Sequence, residues 1–328
     1  MVWNNKAIKI LSFSVKLTIV ICALWFLYIE IFRNEDIAEI RLYYTKVSNN
    51  IYSSFGLFIA VLLMPLNWFL EIKKWQYLVS KIEGVSTINA FKAVFSGITV
   101  SAIMPNRMGE FLGRIAYINN ADRIKAALIT IIGSLSQLTT TIVLGGLSLI
   151  ILLLETQFEL QSIVQISLCI ILLGIIIITP ILYFNTAIIF TIFNNLKILR
   201  RFIKYAQVFK SYSYAELRKT LYYSLGRYLI FTTQFIILLF VFQVEISIFN
   251  SLIAIAASFF VIATIPTPAL IEIGVREATS LVFIGLFSDN HLGIITATFS
   301  LWLINIAVPA LIGIGFVFQA RFLKSNRS

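Results

Sequence analysis

Apolar residues in this chain come in long unbroken runs. They show neither the two-residue alternation of a barrel strand nor the one-sided stripe of a soluble helix. A helix needs about 20 residues to cross the hydrocarbon of a bilayer. Ile10–Phe32, Ile51–Leu70, Lys125–Leu154, Ile163–Tyr183, Tyr222–Phe242 and Gly293–Phe318 are long enough. Phe249–Ile265 is borderline and stops at Pro266 and Pro268, after which the chain runs apolar again to Phe287. Ala90–Met104 is too short to cross comfortably and a charged stretch follows at once. A re-entrant hairpin suits it better, because non-helical backbone at membrane depth must line protein or water. The pattern predicts an all-α polytopic membrane protein, a single integral domain over 1–328. It has about eight transmembrane helices plus a re-entrant hairpin, with 268–287 counted into a second, proline-broken helix.

Composition agrees. The chain is 59% hydrophobic and 12% charged, where a soluble domain would carry about 25% charged residues. A net charge of +11 would suggest nucleic acid in a soluble protein; here it points to loops facing anionic lipid headgroups, and no nucleic-acid partner is expected. Nineteen Lys and Arg fall in 1–9, 71–89, 105–125, 184–221 and 319–328, against three in 33–50. That asymmetry predicts cytoplasmic N- and C-termini in a multi-pass protein of the inner (plasma) membrane. Ile10–Phe32 lacks a small-residue cleavage site and reads as an uncleaved first span.

The stretch 184–221 is the most basic loop, and the spacing of Leu196, Leu199, Phe202 and Ile203 suggests an amphipathic helix on the inner leaflet; a simple orientation signal is the other account. Cys22 and Cys169 sit inside apolar runs as small core residues. The single histidine, His291, lies in a short loop and leaves no zinc cluster to assemble. Neither metal nor cofactor is expected.

Candidate chemistry gathers at two interruptions. In PNRMGEFLGR (Pro105–Arg114), Arg107, Glu110 and Arg114 share one face of a helix, and Glu110 neutralises only one arginine. Ionisable residues at membrane depth are expensive and mark functional sites. The net positive charge suits an anionic headgroup. In the second place, Pro268 is followed by Glu272, Gly274, Arg276 and Glu277. Paired interrupted segments in the two parts of a transporter point to its binding site. A helix starting after each proline would aim its positive end inward, where phosphate binds. The plainer account is that Glu110–Arg114 and Glu272–Arg276 are i, i+4 pairs tolerating burial. On Lys125–Leu154, Gly133, Gln137, Thr140, Thr141 and Gly145 share a face, which is either a helix-packing seam or a polar translocation path.

At these residues the chain resembles the lysylphosphatidylglycerol synthase transmembrane, or flippase-like, family. PNRMGEFLGR and GVREA (Gly274–Ala278) carry the resemblance, with LNWFLEIKKW (Leu66–Trp75) adding less specifically, and it spans roughly residues 10 to 318. The family's second motif is often PxGxGxRE-like; here it reads PTPALIEIGVRE, with Leu270 and Ile271 in place of small residues. The resemblance implies a domain that binds or moves phospholipids or polyprenyl-linked glycolipids between leaflets. Full-length synthases carry a cytosolic aminoacyl-transferase domain after the membrane part; this chain stops ten residues past its last apolar run, so no synthase activity is expected. Carried over by position, the substrate-binding candidates are Arg107, Gly109, Glu110, Arg114, Gly274, Arg276 and Glu277, with the glycines permitting backbone turns.

The leading expectation is therefore a non-enzymatic lipid translocator for an anionic headgroup. No GxxxxGK[ST] motif exists to drive it by nucleotide. An accessory subunit of an envelope-biosynthesis pathway, docking through 184–221, is the alternative. A membrane transferase is third, since no nucleophile–base signature accompanies the carboxylates.

Overall fold

The computed structural model describes residues 50–102, 104, 109–155, 161–185, 203–265 and 272–320, with isolated positions elsewhere. Most of the predicted first span, Arg107 and the prolines Pro105, Pro266 and Pro268 lie outside the described residues, as do Leu199 and Phe202.

Helix α1 (Ile51–Val79) opens with the Asn50 side chain accepting from the Tyr52 N–H and contains Pro65. It runs past the predicted end at Leu70, because Trp68, Ile72, Trp75 and Val79 continue one buried face at helical spacing. The residues 71–79, assigned to a loop from their charges, are thus helical and largely inside.

The next two helices, α2 (Thr87–Ser101) and α3 (Gly109–Ile115), lie side by side in opposite directions. Glycine makes this contact. A Cβ on Gly113 would overlap the backbone of Gly97, and one on Gly109 would overlap Val100. At 15 residues, α2 is about 22 Å long, short of the bilayer core. The hairpin expected here is present.

Helices α4 (Arg123–Leu154) and α5 (Ser162–Phe184) are joined side to side, the Gln165 amide donating to the Leu153 carbonyl. Tyr183 is the sole fully buried residue of α5, and Ile176 packs against Gly146 of α4. A single turn, α6 (Ile203–Ala206), continues as a 3₁₀ turn, Gln207–Ser211. Val208, Phe209 and Tyr212 pack there against Leu78, Leu128, Ile129 and Tyr183. The described end of the basic loop is consequently inserted among helix ends, not laid on a leaflet; the amphipathic stretch before it is mostly outside the described residues. Tyr212 fastens it, its hydroxyl donating to the Leu78 carbonyl at 2.7 Å.

Helix α7 (Tyr214–Val241) starts at a capping box formed by Ser213 and Glu216, eight residues before the predicted start. Arg218 and Lys219 therefore belong to its first turns. It lies antiparallel on α1: Lys74 Nζ donates to Ser224 Oγ, Gln234 Nε2 to the Ala60 carbonyl and Ser53 Oγ to the Val241 carbonyl.

The predicted broken helix is instead folded back on itself. Helices α8 (Ile248–Thr264) and α9 (Glu272–Ile284) lie side by side, Ser258 Oγ reaching the Thr279 carbonyl at 3.4 Å. At 17 and 13 residues, neither crosses alone. His291 opens the last helix, α10 (His291–Gln319), in the turn capped by Asn290, so it is helical and not in a loop. A π turn at Leu303–Ala307 interrupts α10. Beyond it Gly313 seats on the Phe95 carbonyl of α2, and Thr99 Oγ1 donates to the Ala310 carbonyl at 2.7 Å. Among the described residues, α1, α4, α5, α7 and α10 are the five helices long and apolar enough to span a membrane.

Candidate functional site

Glu71 is buried, 4% exposed, two turns from the end of α1. Three cations meet it. Arg114 of α3 reaches Oε1 at 2.9 Å, Lys74 reaches Oε2 at 2.8 Å, and Arg227 of α7 also binds Oε2. A carboxylate in a low-dielectric interior is tolerable only when paired and hydrogen-bonded, and here three cations share one carboxylate. Lys74 is itself buried, and it donates further to the Gly133 carbonyl and Ser224 Oγ, both at 3.3 Å.

Arg114 is held twice, since Glu110 Oε2 also lies at 2.9 Å from it. The expected positive remainder at PNRMGEFLGR is thereby cancelled at Arg114, which is 2% exposed and closed to any ligand. Glu110 and Glu272 each fall in the first turn of their helices, so the positive ends of α3 and α9 already face carboxylates of their own. Neither helix start is a bare phosphate site. Gly109 is a packing glycine: no described glycine has a positive φ, and its lost Cβ makes room for Val100. Gly274 has open space around it, so no close approach explains it.

The opening lies alongside. A cavity of about 450 Å³ is lined by Arg227, Arg276, Glu272, Gln137 and Asn305, with Trp68, Tyr228, Phe231 and Phe259 as its apolar wall. Arg276 bonds Glu272 Oε1 through NH2 at 2.7 Å and through Nε at 3.2 Å. Arg227 gives Nε to Asn67 Oδ1 at 2.9 Å and NH1 to Glu71, and its guanidinium stacks 5.2 Å from the Trp68 ring. Trp68 Nε1 and Gln137 Oε1, both on cavity-lining residues, are buried and without partners among the described residues. Asn67 Nδ2 donates to Asn305 Oδ1 at 3.3 Å, linking α1 to the π turn of α10.

Of the sequence candidates, Arg276 lines this cavity and Glu110 an adjoining one of about 20 Å³, which it shares with Glu272, Trp68 and Trp302. The two interrupted segments thus meet around Trp68. Gly109, Arg114 and Gly274 do not face the large cavity, and Arg107 lies outside the described residues. Glu277 is on α9 but not on the cavity wall. The polar face of α4 divides: Gln137 and Thr141 line the cavity, Gly133 serves Lys74, and Gly145 packs against Ala256 and Phe260 of α8.

Sequence reasoning missed Glu71, Lys74 and Arg227 as site residues. The available signal was the spacing Trp68, Ile72, Trp75, which carries an apolar face through the charges and marks them as interior. Among the described residues, no group of three His, Cys, Asp or Glu comes together to hold a metal.

A bundle of long apolar helices around a buried charge cluster and an amphipathic cavity is a multi-pass membrane protein with an internal polar site. The family described as lysylphosphatidylglycerol synthase TM region matches residues 13–300, and the chain belongs to it. That makes it a membrane protein related to lipid or envelope pathways. Searches of the curated proteins and of the solved structures each returned no match.

Proposed function

We propose that this protein binds a lipid with an anionic headgroup, a phospholipid or a polyprenyl-linked glycolipid, and carries it between leaflets of the plasma membrane without catalysing a reaction. One observation carries this. Arg227 and Arg276, from two different helices, share a cavity of about 450 Å³ whose remaining wall mixes polar side chains (Asn67, Gln137, Thr141, Asn305) with aromatic and aliphatic ones (Trp68, Phe231, Phe259, Ile262). That volume lies in the range of ligand pockets, roughly 300–1,000 Å³. Guanidinium forks suit phosphate oxygens, while the aromatic wall suits the apolar atoms beside them. In this reading both termini face the cytoplasm, as the Lys and Arg distribution favours.

The test is leaflet transfer of a fluorescent phosphatidylglycerol in proteoliposomes, read by quenching with an impermeant reductant. Arg276→Ala should slow transfer at least tenfold with the elution profile unchanged. Transfer at the wild-type rate in that variant, or no transfer by the wild type above empty vesicles for any anionic lipid, removes the proposal.

A further inference from the structure

The molecule carries an internal repeat that few identical residues betray. Helix α1, the α2–α3 hairpin and α4 recur in order as α7, the α8–α9 hairpin and α10. The helix starts repeat with their caps: Asn50 with Ser213, Ser86 with Ser247, and Asp122 with Asn290, each side chain accepting a backbone N–H of its own first turn. The hairpin pairs repeat too. Glu110–Arg114 and Glu272–Arg276 occupy matching places at the starts of α3 and α9. Because α1 and α7 are antiparallel and each hairpin follows its helix, the hairpins enter from opposite sides of the bundle. This is an inverted-topology repeat, the construction that lets a site be approached from either side.

The two halves are not in the same state. In the first, the end of α2 is more covered: Val100 is 0% and Ala102 6% exposed, with Ser101 between them half-buried. In the second, the matching end of α8 is open, with Ala263, Thr264 and Ile265 exposed on the cavity. In the first, Arg114 is docked on Glu71 of α1. The residue of α7 that stands as far from Ser213 as Glu71 stands from Asn50 is Gln234. Gln234 is 0% exposed, its Nε2 is used by the Ala60 carbonyl, and its Oε1 is buried with no hydrogen bond. A buried amide oxygen without a donor costs free energy comparable to a lost hydrogen bond. Arg276 and Gln234's neighbours Phe231 and Phe235 line one small void of about 10 Å³.

From this we infer that Gln234 is the second docking point: in an alternate conformation the α8–α9 hairpin closes, Arg276 meets the Gln234 oxygen, and the α2–α3 hairpin opens in its turn. The cavity then changes the side from which it is reached. Arg276 and Gln234 do for the second half what Arg114 and Glu71 do for the first, with a neutral acceptor in place of a charged one. The inequality of the two acceptors sets the resting state, because Arg114 gains more from a carboxylate than Arg276 gains from an amide. The purpose of the exchange rests on the proposed lipid movement; the exchange itself does not.

The test uses single reporter cysteines at Ser101 and Thr264, the matching last residues of α2 and α8, in protein with Cys22 and Cys169 replaced by alanine. Labelling by an impermeant maleimide should favour Thr264→Cys over Ser101→Cys at least tenfold. Gln234→Glu should reverse that preference, and Gln234→Leu should preserve it. A second assay pairs Gln234→Cys with Arg276→Cys, which should be bridged by a short bis-maleimide, whose reach suits an arginine–glutamine contact where a disulfide's does not. The inference is overturned by an unchanged labelling ratio in well-folded Gln234→Glu, or, where that variant does not fold, by failure of the cysteine pair to cross-link. Labelling needs no lipid, so a reversed ratio in a protein that transfers nothing upholds the exchange and removes only the transport proposal.

Discussion

Glu71 holds Arg114 by Oε1 at 2.9 Å, and this contact ties the first hairpin to the α1–α7 pair. The same carboxylate serves Lys74 and Arg227. Its removal leaves three buried or half-buried cations with less counter-charge. Breaking one buried ion pair costs about 3–5 kcal/mol. Glu71→Gln should therefore lose at least that much, seen as a fall in the thermal midpoint in detergent. A midpoint within a degree of wild type would mean that water enters the cluster freely.

The two hairpins should answer differently to a single methyl, the α2–α3 hairpin at Gly113 and the α8–α9 hairpin at Gly274. Gly113→Ala forces a Cβ into the backbone of Gly97, where no flexible side chain gives way. Overpacking of this kind costs about 1–3 kcal/mol or more. Gly274→Ala places its methyl in open space on a helix, where alanine is favoured over glycine by about 0.5–1 kcal/mol, and should hold or raise the midpoint. Thermal scans of the two variants side by side decide the point.

Gln137 should separate binding from stability. Its Oε1 is buried without a partner among the described residues, so Gln137→Leu removes an unsatisfied atom and should hold or raise the midpoint. If the cavity takes a polar headgroup, losing this hydrogen-bonding side chain should weaken lipid retention by about tenfold, the value of 1.4 kcal/mol. Native mass spectrometry of gently purified protein reads both bound lipid and its loss. Equal retention by the two proteins would place the headgroup elsewhere.

Tyr117 should report on high pH. Its hydroxyl donates to the Phe316 carbonyl at 2.7 Å, and burial pushes the phenol up to about 12. A folded-state value above the unfolded one, about 10, holds stability in full below pH 10 and loses it as pH rises towards 12. Between those values the wild type should lose stability more steeply than Tyr117→Phe. Parallel slopes in detergent-solubilised protein would assign the alkaline loss to other groups.

The apolar runs made the spans legible, because length and hydropathy alone decide whether a helix suits a bilayer. The two interruptions were legible as well, through proline, glycine and paired charges near Glu110 and Glu272. Position within the bundle was not. Charge at the end of an apolar run looks like a loop, so Glu71 and Lys74 fall just beyond the predicted Ile51–Leu70 span, whereas Trp75 and Val79 carry α1 past them. Arg227 stood in plain view inside a run, but nothing local says that its partner sits on α1. Gln234 was less visible still. A buried glutamine carries no charge to draw notice, and its meaning comes only from the placement of the two halves.

The π turn in α10 has a consequence for everything after it. An extra residue in a helix turns all that follows by about 100° about the axis. Before Leu303 the helix presents Leu301 and Trp302 to the core, and after Ala307 it presents Ala310 and Gly313 to α2. One rod is thereby keyed to two neighbours that an unbroken helix would meet at a single angle. Deleting one residue between Leu303 and Ala307 should swing Gly313 off the Phe95 carbonyl and draw Asn305 away from Asn67, detaching the last helix from the first hairpin and from the cavity wall together.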